Sequence, residues 1–281
     1  MKLRHTAAWA GFTAVTMVAA SGCGGQSVKH AAEAVDDTGA IMAALARATD
    51  RTEALGSAEV SMTTDLGNGK APIPMQGTYS WGDGFAYDVE MDTKAAQMQD
   101  VQDAPTIRML FVNGDYYYDV DPQPSGPLKG KEWMKLDGSV VFGEKGAQAF
   151  DGNAGGGSPS ATMRSLKYAQ NVEDLGEQTL GGQRTTHYRA VIDASGMGRF
   201  KDAYGDKDNL VNSITGGGTS IDMDVWVDAK DLPVRIKQVI GKMTVTMDFR
   251  KFGATTDVKA PPSAQTADVS DLIKQGAGKR G

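Results

Sequence analysis

The residues able to do chemistry are few in this sequence, and their spacing matches no catalytic motif. Three of the 281 residues are His, and His187 is the one that falls inside a predicted strand. It shares a strand face with Arg189 and Val191, which favours a structural, hydrogen-bonded role. No Gly-x-Ser-x-Gly motif occurs, and no pattern combines a nucleophile, a base and an orienting acid. The sequence therefore predicts a protein that is not an enzyme and needs no cofactor.

Carboxylates offer a second candidate chemistry, the binding of a metal ion. Asp222, Asp224 and Asp228 share one face of a predicted strand, but their spacing does not match the Asp-x-Asp-x-Asp-Gly calcium loop. One Cys and three His are too few for a Cys- and His-rich zinc site. Gly138–Gly143 has the glycine spacing of a phosphate loop, but Glu-Lys follows instead of Lys-Ser or Lys-Thr. We expect neither a metal site nor a phosphate site.

The single cysteine stands where covalent lipid attachment is expected. A short basic start, an apolar run over Thr6–Ala20 and two small residues precede Cys23, which is the layout of an exported leader. A cysteine directly after such a cleavage point is typical of a bacterial lipobox, in which the thiol receives a diacylglyceryl group. Ala20 departs from the pattern, because these motifs usually carry Leu there. The run of about 15 residues is shorter than the ~20 that span a bilayer as a helix.

This interpretation divides the chain into three parts. We expect a lipoprotein signal peptide in residues 1–22, a lipidated flexible tether in 23–36, and one folded domain in 37–281. Lipid on Cys23 would hold the domain on the cell membrane, at its extracytoplasmic face. The net charge of −6 and the pI near 5.1 argue against nucleic acid as a partner, since phosphate binding needs a basic surface.

The folded part is dominated by strands. A helix is predicted at Thr38–Leu55, after which apolar and polar residues mostly alternate with the period of two that is typical of strands. Turn signals at Asn113-Gly114 and Gly181-Gly182 predict hairpins. Two shorter helices are predicted, at Ser160–Ala169 with Ser160 as its cap and around Gly198–Tyr204. About eleven hairpin-linked strands with few helices predict an α+β fold, a large curved antiparallel sheet with helices on one face.

Candidate binding residues lie on the side of this sheet that the alternation turns inward. Methionine recurs there, and its flexible, polarizable thioether suits surfaces that fit variable apolar partners. An ordinary packed core explains the same pattern, so methionine content alone leaves both interpretations open. The candidate cavity-lining residues are Met62, Met75, Met91, Met109, Met223, Val225, Ile236, Val245 and Met247.

Several phrases of the C-terminal half resemble the LppX/LprG-type lipoproteins of actinobacteria. The phrases are Leu180–Arg189 with the following Asp193, Val225–Asp228 leading into Leu232–Val234, Asp248-Phe249 leading into Phe252-Gly253, and a tail with Pro261-Pro262 and Val269–Leu272. The resemblance implies a LolA-like fold, a half-barrel of about eleven strands whose concave face is covered by helices. It also implies an apolar cavity that carries the acyl chains of lipids or lipoproteins. Residues 92–103 and the Gly-rich segment 152–159 depart from compact members of this group.

Two hypotheses for the function follow. The first is a membrane-anchored lipoprotein that binds or transfers acyl lipids or lipoproteins in an apolar cavity. The second is a cell-surface interaction or sensor lipoprotein with a closed core, which presents its charged sheet face or its 92–103 loop to a membrane or cell-envelope protein.

Overall fold

The computed structural model describes residues 25–150, 158–169, 171–196, 210–253 and 257–277, and the description below concerns these residues. The helices are α1 (Gly25–Leu55), α2 (Gly138–Phe150), α3 (Pro159–Ser165), α4 (Leu210–Thr215) and α5 (Ser270–Ala277), with 3₁₀ turns at Leu166–Tyr168 and Ser263–Gln265. The strands are β1 (Ser57–Asp65), β2 (Ile73–Ser80), β3 (Ala86–Asp92), β4 (Thr106–Val112), β5 (Asp115–Asp119), β6 (Trp133–Asp137), β7 (Asn171–Leu180), β8 (Gln183–Asp193), β9 (Ser220–Asp228), β10 (Pro233–Ile240), β11 (Met243–Phe252) and β12 (Thr266–Asp268).

The chain divides into two compact units, Met1–Asp37 and Thr38–Gly281. In the first unit the structure describes residues 25–37, which form the beginning of α1. The second unit contains the rest of α1 and every strand. The signal peptide and the lipid on Cys23 fall on residues outside the described ranges and stay predictions.

All twelve strands belong to one open sheet. Their order is β12-β6-β5-β4-β3-β2-β1-β11-β10-β9-β8-β7, with β12 parallel to β6 and every other pair antiparallel. Most neighbours are joined by hairpins, while β1 pairs with β11 and so links the two ends of the chain's strand region. The predicted α+β class with an antiparallel sheet is confirmed.

The apolar and polar residues that alternate along each strand lie on opposite faces of the sheet. On β1, Val60 and Met62 are buried while Glu59 and Thr63 lie on the opposite side, and the other strands repeat this pattern. We call the side that carries Val60 and Met62 the inner face, and the opposite side the outer face. Asn113-Gly114 has positive φ at both residues, 57° and 83°, as a two-residue hairpin turn requires.

The second part of α1 packs on the inner face. Leu45, Ala48 and Thr52 lie on one stripe of the helix and are almost fully buried. Leu45 and Ala48 join the core that the inner face forms. The indole N–H of Trp81, just after β2, donates a hydrogen bond to the carbonyl of Thr52 at 3.1 Å. This bond fixes the helix over one end of β2.

Several elements differ from the sequence predictions, among them α4 and α5, which lie where no helix was predicted. α1 begins at Gly25, not Thr38, and residues 25–36 are helical where a flexible tether was predicted; the alanines there favour helix. α2 was missed because its glycines interrupt the helical period, and Gly143 has a non-helical φ of 74°. β12 was missed because three residues carry little pattern, and α5 follows it directly. The helix predicted around Gly198–Tyr204 lies outside the described residues.

Candidate functional site

A row of apolar side chains crosses the inner face from strand to strand. Val225 on β9 pairs with Ile236 on β10, which pairs with Met247 on β11. Met247 pairs in turn with Met62 on β1. The row then continues through Met75 on β2 and Met91 on β3 to Ile107 on β4. Four neighbouring strands therefore each place a thioether in the middle of one apolar belt. Such a belt can adapt its shape to an apolar partner.

The inner face has an aromatic half over β2 to β5. Tyr79 stacks on Tyr87 with ring centroids 4.9 Å apart, and Tyr87 stacks on Phe111 at 5.4 Å. Burial raises the pKa of the Tyr79 and Tyr87 hydroxyls well above the ordinary tyrosine value, and raises that of Tyr118 to about 12. The aromatic rings therefore pack against one another over this half of the inner face.

The other half, over β8 to β11, carries mainly aliphatic and methionine side chains together with the rings of Tyr188 and Phe249, and α3 and the 3₁₀ turn that follows it cover part of it. Ser158 caps α3 by accepting a hydrogen bond from the Ala161 N–H at 3.0 Å, and Pro159 takes the first helical position. The cap predicted at Ser160 is wrong by two residues. Met163 and Leu166 are 1% and 2% exposed and join the inner-face core. These two side chains hold the segment on the sheet.

Polar contacts also connect α3 to α1 through one carboxylate. The Ser160 hydroxyl donates a short hydrogen bond to Glu53, and an Arg164 guanidinium nitrogen lies 3.2 Å from the same carboxylate oxygen. Glu53 and Arg164 are each more than two-fifths exposed, so their ion pair contributes little to stability. α3 is therefore held by the apolar contacts of Met163 and Leu166 with the sheet and by a weak ion pair with α1.

A cavity remains between α3 and the sheet. It has a volume of about 60 Å³ and is lined by Ile236, Gln238, Val245 and Met247 from the sheet and by Pro159 and Thr162 from α3. This is room for about two water molecules, each of which occupies ~30 Å³ in the liquid. Pockets that hold a small-molecule ligand usually measure roughly 300–1,000 Å³. With α3 on the sheet, which we call the closed state, this space is too small for an acyl chain.

The nine predicted cavity-lining residues all join the inner-face core. Ile236, Val245 and Met247 border the cavity under α3, whereas the other six pack within the core away from it. Those six are Met62, Met75, Met91, Met109, Met223 and Val225, each at most 9% exposed. Gln238 and Thr162 also line the cavity and are not among the predicted residues. Gln238 could have been found, because it continues the alternation between Ile236 and Ile240.

His187 lies on the outer face, in a cluster of β8 and β9. Its Nε2 is 2.7 Å from an Asp224 carboxylate oxygen, to which Arg189 Nε also donates at 2.9 Å. The imidazole stacks on Trp226 with centroids 4.1 Å apart, and it is 5% exposed. These contacts agree with the hydrogen-bonded structural role expected for His187.

Across the described residues, no three His, Cys, Asp or Glu side chains come close enough to hold a metal ion. None of the described helices is long and apolar enough to cross a membrane.

The architecture is thus a broad antiparallel sheet with an apolar inner face, partly covered by helices. No family model matches the chain. The chain is 26% identical over 246 residues to "Putative lipoprotein SCO4650" of Streptomyces coelicolor, covering 84% of this chain and 78% of that protein.

Similar solved structures include two mycobacterial proteins, the lipoprotein LppX and LprF. LppX of Mycobacterium tuberculosis gives a TM-score of 0.49 at 15% identity, with 78% of this chain and 98% of LppX covered. LprF of Mycobacterium bovis gives 0.45 at 14% identity, with 78% and 96% covered. LppX is of the lipoprotein type that the sequence phrases resemble.

Proposed function

We propose that this protein is a membrane-anchored lipoprotein that binds an acyl chain of a lipid or lipoprotein between the inner face and α3. The observation that carries the proposal is the cavity under α3, whose walls include three side chains expected from the sequence, Ile236, Val245 and Met247. The action is binding and release, without a chemical step. Affinity would come from removing the acyl chain from water, at ~25 cal/mol per Å² of apolar surface.

Binding requires α3 to move, because about 60 Å³ cannot hold an acyl chain. α3 is short, and its contacts with α1 pass through the partly exposed Glu53. Displacing it exposes Met163 and Leu166, which cover the sheet in the closed state. An incoming acyl chain would replace these two side chains on the apolar belt, so that the sheet stays covered.

The membrane anchor would place the domain beside its ligand. The lipobox at Cys23 predicts the attachment, and the Streptomyces coelicolor relative carries the word lipoprotein in its name. Two acyl chains bury enough CH₂ groups, at ~0.8 kcal/mol each, to hold a protein stably on a bilayer. We infer that the domain works at the extracytoplasmic face of the cell membrane.

Blocking the cavity should abolish acyl binding. Val245→Trp places an indole where the wall of the cavity now has two methyl groups, so we expect loss of most displaceable binding of a fluorescent fatty-acid probe. Overpacking costs typically 1–3 kcal/mol, so the variant should still fold. Probe titration measures binding, and circular dichroism with thermal melting measures folding.

The matched control is Thr246→Trp, the same indole one residue later on the outer face. It should bind the probe like the wild type. If Val245→Trp is folded and binds the probe as well as the control does, the acyl chain does not occupy this cavity. If Val245→Trp does not fold, Val245→Phe repeats the test with a smaller ring.

A second candidate function, recognition of a protein partner, is favoured by a groove on the outer face. The groove has a volume of about 620 Å³, and its lining is mostly polar and charged: Glu59, Val60, Ser61, Gln76, Gly77, Thr78, Asp88, Glu90, Arg108 and Arg250. Arg108 and Asp88 form a two-bond ion pair there, at 2.9 and 2.6 Å. Two results together would favour this function over the first. The wild-type chain would bind no acyl probe, and Arg250→Glu would remove a cell-envelope protein that the wild-type chain retains in pull-downs.

A further inference from the structure

The exposed side of α3 and its 3₁₀ turn is basic and carries one aromatic ring. Arg164, Lys167 and Tyr168 are exposed there, while Met163 and Leu166 are buried on the sheet. Tyr168 is 57% exposed, more than any other large apolar side chain in the described ranges. The Nζ of Lys167 lies 4.8 Å from the centre of the Tyr168 ring. We call Arg164, Lys167 and Tyr168 the basic surface of α3.

The charge of this segment differs from that of the chain as a whole. Residues 158–169 contain two cations and no acid, whereas the whole chain has a net charge of −6. The ion pair between Arg164 and Glu53 measures 3.2 Å, and both side chains are more than two-fifths exposed. Lys167 forms no ion pair with any described residue. Since exposed ion pairs are weak in water, both cations remain available to an anionic partner.

A lipid bilayer with anionic headgroups fits both sides of this segment. Displacing α3 in water would expose the apolar side chains of Met163 and Leu166, and that exposure opposes opening. At a bilayer the same two side chains enter the acyl boundary while cations stay among the phosphates, as in interfacial amphipathic helices. Tyrosine is enriched at this boundary because its ring is apolar and its hydroxyl is polar. The lipid predicted on Cys23 would hold the domain beside such a surface.

We propose that the basic surface of α3 binds the anionic headgroups of the membrane, and that this contact releases α3 from Glu53 and opens the cavity. The opening rests on the proposed function and adds the condition under which the site takes up its ligand. Arg164 exchanges the Glu53 carboxylate for a phosphate, to which a guanidinium can donate two parallel hydrogen bonds. Each basic side chain adds roughly fivefold to the affinity for an anionic lipid surface, and salt screens this attraction.

The test places the full lipidated chain in two kinds of vesicle, phosphatidylcholine alone and phosphatidylcholine with phosphatidylglycerol at about 2:1. The same anchor holds the chain in both, so the vesicles differ in surface charge. Acetylation of Lys167 by neutral N-succinimidyl acetate, measured by peptide mass spectrometry, reports the contact, and exposed Lys251 on β11 is the internal reference. Photolabelling of Val245 by a fatty-acid methyl ester that bears a diazirine reports the opening.

We expect the anionic vesicles to lower Lys167 acetylation roughly fivefold relative to Lys251, and to raise photolabelling of Val245 several-fold. Sodium chloride at about 0.5 M should reverse most of both changes, because it screens the attraction between the cations and the headgroups.

Arg164→Gln should bring both ratios between the two kinds of vesicle toward one. Because this change also removes the pair with Glu53, the ratios are compared and not the absolute labelling. The matched control is Arg184→Gln, the same loss of one charge at the exposed second residue of β8, which should keep both ratios. Tyr168→Ser keeps the pair with Glu53 and should also lower both ratios.

Equal Lys167 acetylation in the two kinds of vesicle, or the same ratios in Arg164→Gln as in Arg184→Gln, would refute the membrane contact. Protection of Lys167 without increased labelling would refute the opening and leave the contact. Labelling that is strong and equal in both vesicles would also refute the opening, while acyl binding stands. If the cavity is labelled in neither kind of vesicle, the proposed function itself fails, and Lys167 acetylation alone decides the membrane contact.

Discussion

Met223→Asp is expected to unfold the chain or to lower its free energy of unfolding by about 4 kcal/mol or more. Met223 is 1% exposed, and its strand neighbours are Ala190 and Gln238, neither of which carries a positive charge. A carboxylate at this position would be buried without a partner, which is among the most costly substitutions known. Since small proteins are stable by only about 5–15 kcal/mol, this loss is a large part of the total.

Urea unfolding followed by circular dichroism measures the effect. The control is Asp222→Asn, at the exposed residue directly before Met223, which should change the free energy of unfolding by less than ~0.5 kcal/mol. A Met223→Asp chain with the same unfolding midpoint as Asp222→Asn would mean that the inner and outer faces are assigned the wrong way round.

Cys23→Ser is expected to abolish stable membrane attachment. The hydroxyl cannot receive the thioether-linked diacylglyceryl group, so the chain should be unprocessed or released into the medium. A control, Ser21→Ala, keeps a small residue before the cysteine and should stay attached. Cell fractionation and the mass of the mature N-terminus provide the measurement. A Cys23→Ser chain that is cleaved at the same bond and still sediments with membranes would contradict the predicted lipidation.

The strands could be predicted from the sequence because each carries its own signal. On β9, apolar Ile221 and Val225 alternate with charged Asp222, and this period of two is read locally without knowledge of the neighbours. The turn predicted at Gly181-Gly182 lies between the last residue of β7, Leu180, and the first residue of β8, Gln183. Where the local signal is weak, as in the three residues of β12 or the glycine-interrupted α2, tertiary contacts decide the structure and the sequence pattern does not reveal it.

The candidate site was predicted only in part, for a related reason. Alternation identified which residues face inward, but it could not say which of them border empty space and which touch one another. Met223 on β9 and Met247 on β11 both belong to the inner face and are separated by β10, yet Met223 is packed in the core and Met247 borders the cavity. That difference depends on where α3 lies, and its contact through Glu53 joins residues more than a hundred positions apart.

Photo-crosslinking of an acyl ligand to the native protein tests the central claim most directly. Membranes containing the full lipidated chain are incubated with a long-chain fatty-acid methyl ester that bears a diazirine near its end, irradiated, and analysed by peptide mass spectrometry. The account predicts that the label falls on β10, β11 and α3, at Ile236, Val245, Met247 or Thr162, and that Val245→Trp removes it. Labelling confined to the outer face, or equal in wild type and Val245→Trp, would contradict it.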